Sequence, residues 1–267
     1  MAIKKLLQDV NLGRDIIQTI QDLKDLAMEE NWDWIESPTH KNPILYNYIC
    51  YTYEKVLSEG KVMSINALDQ RDNVLKDYAI FNTGLATNNQ EEIFAFMTKY
   101  TAPHARQKWV LIGWRKRSST QLRIFPTVPG PASYFTDPSD LLYDTRLELI
   151  PNVDHIINDR SIRFPEQIAA NPTFLKNVLE GAITNAINRI KRNYKTAVPQ
   201  FYNNKIQLLL PLSLTSQDKA DLALVVEKVR DSNGNPIHYS ANTCLTLSMA
   251  INNARLIAKP DNEWLKC

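Results

Sequence analysis

Apolar residues recur at Ile16, Ile17, Ile20, Leu23 and Leu26, three or four positions apart, with Gln and Asp between them. That spacing predicts an amphipathic helix over 14–30, ending near Asn31-Trp32-Asp33-Trp34-Ile35. After a loop around Pro38 and Pro43, a second apolar stripe (Leu45, Ile49, Tyr53, Val56 and Leu57) predicts a helix over 44–58, stopped at Gly60. The pattern then shortens. Dense or alternating apolar runs at 62–65, 78–81, 109–114, 121–125 and 147–150 read as strands. A helix is expected at 89–100, with Thr87 or Asn88 as cap and Glu91-Glu92 at its positive end. The breaker-rich stretch Pro126 to Pro138 reads as a loop.

The clearest element is a helix over 172–192, with Asn171 as N-cap and Pro172 at the first helical position. Its stripe runs through Leu175, Val178-Leu179, Ala182-Ile183, Ala186-Ile187 and Ile190. Three strands follow at 206–214, 221–229 and 238–247, the last two separated by the turn Asp231-Ser232-Asn233-Gly234-Asn235-Pro236. Short links predict an antiparallel meander, and a helix over 248–258 closes the chain. Strands and helices are segregated, so the fold class is α+β: a largely antiparallel sheet with flanking helices and a helical N-terminal segment. We read 1–267 as a single domain, with 1–60 a helical cap and 61–267 the α+β core; no internal repeat is visible.

Composition narrows the function classes. The apolar fraction is 44%, enough for a core. Cys50, Cys244 and Cys267 are odd in number and far apart, which argues against a disulfide framework and points to a reducing, cytoplasmic setting. No secretory leader and no apolar stretch of about 18 residues is present, so no membrane partner is expected. Net charge is only +2, so attraction for phosphate has to come from local clustering. Phosphate-loop glycine patterns are absent. His40, His104, His155 and His238 are isolated, and Asp137, Asp140 and Asp144 read first as a polar turn, so neither a metal nor a cofactor is expected.

Four segments carry candidate chemistry. From Arg189 to Tyr202 the chain holds four cations and three aromatic rings; Arg189, Arg192 and Lys195 suit phosphate, and Tyr194 suits stacking on a base. The same residues also make an ordinary capped helix end. In the second segment, Asn152 to Pro165, His155 is a possible general acid or base, and Arg160 or Arg163 an anion ligand. Third, Phe81-Asn82-Thr83-Gly84-Leu85 reads as a turn offering backbone N–H groups, or simply a turn. Fourth, Asn253 and Arg255 in the last helix suit a polar ligand, or bridge within the fold, and Asp221 is ambiguous in the same way.

Five runs carry a resemblance: FNTGL (Phe81 to Leu85), NVDHIINDRSIRFP (Asn152 to Pro165), RNYKTAVPQFY (Arg192 to Tyr202), LLLPLSL with ADLALVV (Leu208 to Val226) and LTLSMAINNARL (Leu245 to Leu256). In these the chain resembles the domain-of-unknown-function family numbered 3825, over about 30–267. The resemblance implies an RNA or nucleotide setting, because such domains occur in bacteria beside RNA-binding modules, and it assigns no catalytic residue. The sequence thus favours an RNA- or nucleotide-interacting domain. Its phosphate ligands would be Arg189, Arg192, Tyr194 and Lys195, with Asn82, His155, Arg163, Asn253 and Arg255 lining the same cleft. The alternatives are a metal-independent phosphodiesterase or nucleotide hydrolase using His155, and a protein-interaction scaffold using the N-terminal helices and the Trp32–Trp34 pair.

Overall fold

A computed structural model describes residues 4–13, 15–33, 41–69, 71, 73–104, 106–259, 264 and 265. Trp34, Pro38, His40 and Cys267 lie outside the described residues, as does the side chain of Arg160. The chain, read from sequence as one domain, divides by packing into two compact units, 1–133 and 134–267, each built on its own five-stranded sheet.

In the first unit, α1 (Lys5–Asp9) leads into β1 (Val10–Asn11), followed by α2 (Ile16–Leu26) and α3 (Pro43–Ser58). A meander of β2 (Met63–Leu68), β3 (Leu75–Ala86), β4 (Glu92–Lys99) and β5 (Trp109–Lys116) comes next, in the sheet order β1-β5-β4-β3-β2. In the second unit, β6 (Leu149–Pro151) is followed by α4 (Val153–Arg160), α5 (Glu166–Ala169) and α6 (Pro172–Arg192). Then come β7 (Val198–Tyr202), β8 (Lys205–Leu212), β9 (Leu222–Arg230) and β10 (Pro236–Leu245), in the order β6-β10-β9-β8-β7, and α7 (Leu247–Ala254). Topologically the units match: a short strand, crossover helices, four antiparallel strands, and the short strand paired parallel to the last of them. Six of the eight strand pairings are antiparallel and two are parallel, so the sheets are mixed rather than purely antiparallel.

Each set of crossover helices covers one sheet face. In the second unit Leu179, Ile183 and Ile190 of α6 cluster with Leu208, Leu210, Leu224 and Val226. In the first, Tyr53 of α3 meets Phe81 edge to face at 5.2 Å, and Trp114 Nε1 donates to the Thr19 carbonyl at 2.8 Å. The opposite face is covered by the segment after the last strand. In the first unit this is a 3₁₀ turn at Thr120–Ile124, whose Leu122 joins Tyr78, Ile80, Phe94 and Phe96; in the second it is α7.

Most elements fall where the hydrophobic pattern puts them, including 172–192 to the residue. Three differ. The helix expected at 89–100 is the central strand β4. Its Ile93, Phe94, Ala95, Phe96 and Met97 are all buried, because both faces of the sheet are covered, so alternation is lost. Its supposed helix-start carboxylates do other work: Glu91 accepts from the Ser118 backbone N–H, and Glu92 from Asn82 Nδ2 at 2.8 Å. The run 121–125 is 3₁₀ rather than strand, with Leu122 and Phe125 buried three residues apart. Residues 153–160, to which the hydrophobic pattern assigns no element, form the helix α4, started by Asn152, whose Oδ1 accepts from the His155 N–H at 3.2 Å.

Asn82-Thr83-Gly84 is not a terminal turn but a bulge inside β3, where pairing with β4 slips between Asn82 and Ala86. Gly84 has φ +73°, and a Cβ there would lie 2.5 Å from the Tyr48 hydroxyl. Gly84→Ala is therefore expected to destabilise the protein by about 1–3 kcal/mol. Adding Tyr48→Phe should recover only part of this, since the backbone strain stays. Urea denaturation checks it; a Gly84→Ala change below about 0.5 kcal/mol would contradict the account.

Candidate functional site

The basic run begins inside α6 and ends inside a strand. Asn171 Oδ1 caps the helix start, accepting from the Phe174 N–H at 3.1 Å, and Arg189, Lys191 and Arg192 fill the last turn. Asn193 then accepts from the Lys195 N–H at 3.1 Å, which starts a single 3₁₀ turn, Tyr194–Thr196. The sequence suggests that Pro199 ends regular structure; instead it sits within β7. That strand lies at the sheet edge, where a residue lacking an N–H is tolerated.

Lys191, Arg192 and Lys195 are exposed and Arg189 is half-buried. Among the described residues none of the four has a carboxylate within ion-pair distance. Tyr194 is 62% exposed and Tyr202 49%. Four cations without a described carboxylate partner thus share a short stretch of chain with two accessible rings.

From this segment a polar row runs across the sheet, buried at Gln200. Gln200, 1% exposed, donates through Nε2 to Gln207 Oε1 at 2.9 Å and accepts from Asn253 Nδ2 at 3.1 Å. Gln207 continues to Glu227 Oε2 at 3.4 Å, and Glu227 pairs with Lys205. The row crosses β7, β8 and β9 on the face that carries α7, because Gln200 pairs with Gln207 in register while Leu208 and Leu210 point the other way. Asn253 therefore does meet the basic run, through Gln200. Arg163 approaches the same end of the chain: its Nη1 donates to the Cys244 carbonyl, two residues before the α7 cap Thr246. Arg255 follows α7 directly and is half-buried.

The other sequence candidates lie elsewhere. His155 is on the exposed side of α4. Asn82 belongs to the first unit, where it is 1% exposed, bonds Glu92, and accepts from the Gly84 N–H at 2.9 Å. Asp221 closes the β8–β9 loop by accepting from the Leu214 and Thr215 N–H groups and the Thr215 hydroxyl. The acidic residues after Pro126–Pro138 are structural too. Asp140 binds Lys228 and Arg230, and Arg146 holds the Asp144 carboxyl low, at about 2. No cluster of metal-ligating side chains occurs among the described residues, and no described helix is long and apolar enough to cross a membrane. Gln200 is a site residue that sequence reasoning missed, because a glutamine in a basic run looks solvated. The signal was its place two residues after Val198, on the inward phase of a strand.

The chain belongs to the family described as Domain of unknown function (DUF3825), which it matches over residues 23–264. No curated protein and no solved structure matches it.

The row gives a stability test. Gln200→Ala strips partners from Gln207 and Asn253 at once and is expected to cost about 1–3 kcal/mol. A double-mutant cycle with Asn253→Ala should show coupling of at least about 0.5 kcal/mol. Additive losses in urea denaturation would mean that the two side chains do not act together.

Proposed function

We propose that the second unit binds single-stranded RNA through the end of α6 and the turn after it. The observation that carries this reading is the set Arg189, Lys191, Arg192 and Lys195, none paired with a described carboxylate, around Tyr194 at 62% exposure. Cations that offset only a helix dipole need no accessible ring beside them. Phosphates track such cations and bases stack on such rings, which is sequence-tolerant chemistry. With a net charge of +2 the whole chain exerts little long-range pull, so the affinity has to be local and strongly dependent on salt. The row Asn253–Gln200–Gln207, buried at Gln200, links β7 to β8 and α7.

The alternative reading, hydrolysis at His155, would rest on an exposed residue and on Arg160 or Arg163 as anion ligand, and Arg163 Nη1 donates to the Cys244 carbonyl. Fluorescence anisotropy with a labelled single-stranded RNA tests the binding. Arg192→Ala/Lys195→Ala is expected to lower the dependence of log K on log salt by about 1.4, two phosphates' worth at roughly 0.7 each. Tyr194→Ala should weaken binding by about 1–3 kcal/mol while leaving that slope unchanged. No binding at low salt, or binding unaltered in the double variant, overturns the proposal.

A further inference from the structure

The first unit contains a cavity of about 180 Å³ on the sheet face away from its helices, lined by Asp69, Arg71, Tyr78, Phe96, Ile112 and Arg115 among others. We propose that this cavity is a binding site for a small aromatic carboxylate, held by Arg115 over the Tyr78–Phe96 ring pair.

Three observations converge on this. The first is how Arg115 is placed. Pairing of β4 with β5 slips at Phe96–Met97, so Ile112 and Gly113 form a bulge. Gly113 has φ +149°, and a Cβ there would lie 2.7 Å from Arg115 Nη1. A side chain at 113 would strain the backbone and displace the guanidinium, so the glycine lets Arg115 fold back over the strand.

The second is what Arg115 lacks. Its Nη1 donates to the Trp114 carbonyl at 2.9 Å, its Nε is buried with no acceptor, and no described carboxylate pairs with it. Burial and the charge of nearby Arg71 both disfavour its protonated form. A cation in that setting is costly unless an anion joins it, and the guanidinium fork suits a carboxylate. Asp69 does not supply that anion. It already accepts from Lys76 Nζ at 2.8 Å, from the Arg71 N–H at 2.9 Å and from the Tyr78 hydroxyl, and the Lys76 bond leads in holding its carboxyl down at about 2.

The third is shape and polarity. Tyr78 and Phe96 stack at 5.2 Å with 15° between planes, giving a flat apolar floor. The exposed side chains of Leu68 and Ile112 extend that apolar character along the lining. The volume exceeds the roughly 150 Å³ that accepts a benzene ring and falls short of the roughly 300 Å³ where drug-sized sites begin. One ring with one carboxylate fits; a complete nucleotide does not. Asp69 is already offset by Lys76, so Arg71 and Arg115 leave the cavity positive, and its flat apolar floor and limited volume favour a planar carboxylate on a ring over free phosphate or a bulkier phosphate ester.

Benzoate is the probe, with cyclohexanecarboxylate, phenyl phosphate and inorganic phosphate as comparisons, followed by calorimetry and ligand-observed NMR on the full chain. Benzoate should bind with millimolar or better affinity and more tightly than the other three. Arg115→Gln should weaken it about 10-fold or more, the equivalent of about 1.4 kcal/mol. Arg115→Lys, which keeps the charge and loses the fork, should weaken it too, and the circular dichroism of both variants should be unchanged. Gly113→Ala tests the placement independently and should weaken benzoate without touching RNA binding by the second unit. The inference is overturned by absence of benzoate binding to the native chain, by equal affinity for inorganic phosphate, or by native affinity in a folded Arg115→Gln variant.

Discussion

A four-stranded antiparallel sheet has two faces to keep from water, and its own hairpins cover neither. In both units of this chain the first face is covered by helices that precede the meander, and the second by the segment that leaves its last strand. The outer edge of that last strand is closed by the short strand before the helices, through two registered pairs in one unit and three in the other. The rest of the structure depends on how well each face is filled. The helical faces are filled largely by apolar side chains, aliphatic and aromatic, at helical spacing. The second faces have only a 3₁₀ turn or an eight-residue helix to fill them, and polar side chains survive there.

Those polar groups have to be satisfied where they are buried. In the first unit the Thr83 hydroxyl donates to the Ile93 carbonyl at 2.7 Å across the bulge that Gly84 allows, and Asn82 reaches Glu92. In the second, two glutamines and an asparagine saturate one another across β7, β8 and α7. An unmade bond in either place costs about as much as a sizeable share of the net stability of a domain. Such rows therefore fix strand register as firmly as the apolar contacts beside them. Arg115 Nε, by contrast, has no acceptor and its side chain lines a cavity, which marks it, rather than Asn82, as a place for a ligand.

How much of this is legible in the sequence depends on what each segment must do. Helix α6 is legible to its ends because one face is buried and one is wet, and because Asn171 and Pro172 mark its start. Strand β4 is not, because a strand buried on both sides carries no period. The basic run is legible as chemistry, since its cations are largely exposed, whereas the bond between its Gln200 and Asn253 depends on strand pairing that the sequence does not display. The cavity is hidden. Its arginine is one cation among 31 basic residues, and only a bulge at Gly113 turns it inward. A lone glycine within a strand pattern is the available signal. The repeated topology is invisible for a related reason: a sheet order is a property of backbone pairing, and the two units meet it with different side chains.

The two cationic places also differ in physics, and the difference is informative about function. At the end of α6 the charges are largely exposed, so salt at cellular strength screens them beyond roughly 8 Å, and only a ligand that engages several at once gains much. A polymer of phosphates does that; a single small anion does not. Arg115 lines a partly open cavity beside stacked rings, where it is partly withdrawn from water and one bidentate contact counts for more than on an open surface. The same residue type is thus suited to a polyanion in one unit and to a single small anion in the other. The local surroundings of each cation set that difference, and the net charge of the chain plays no part in it.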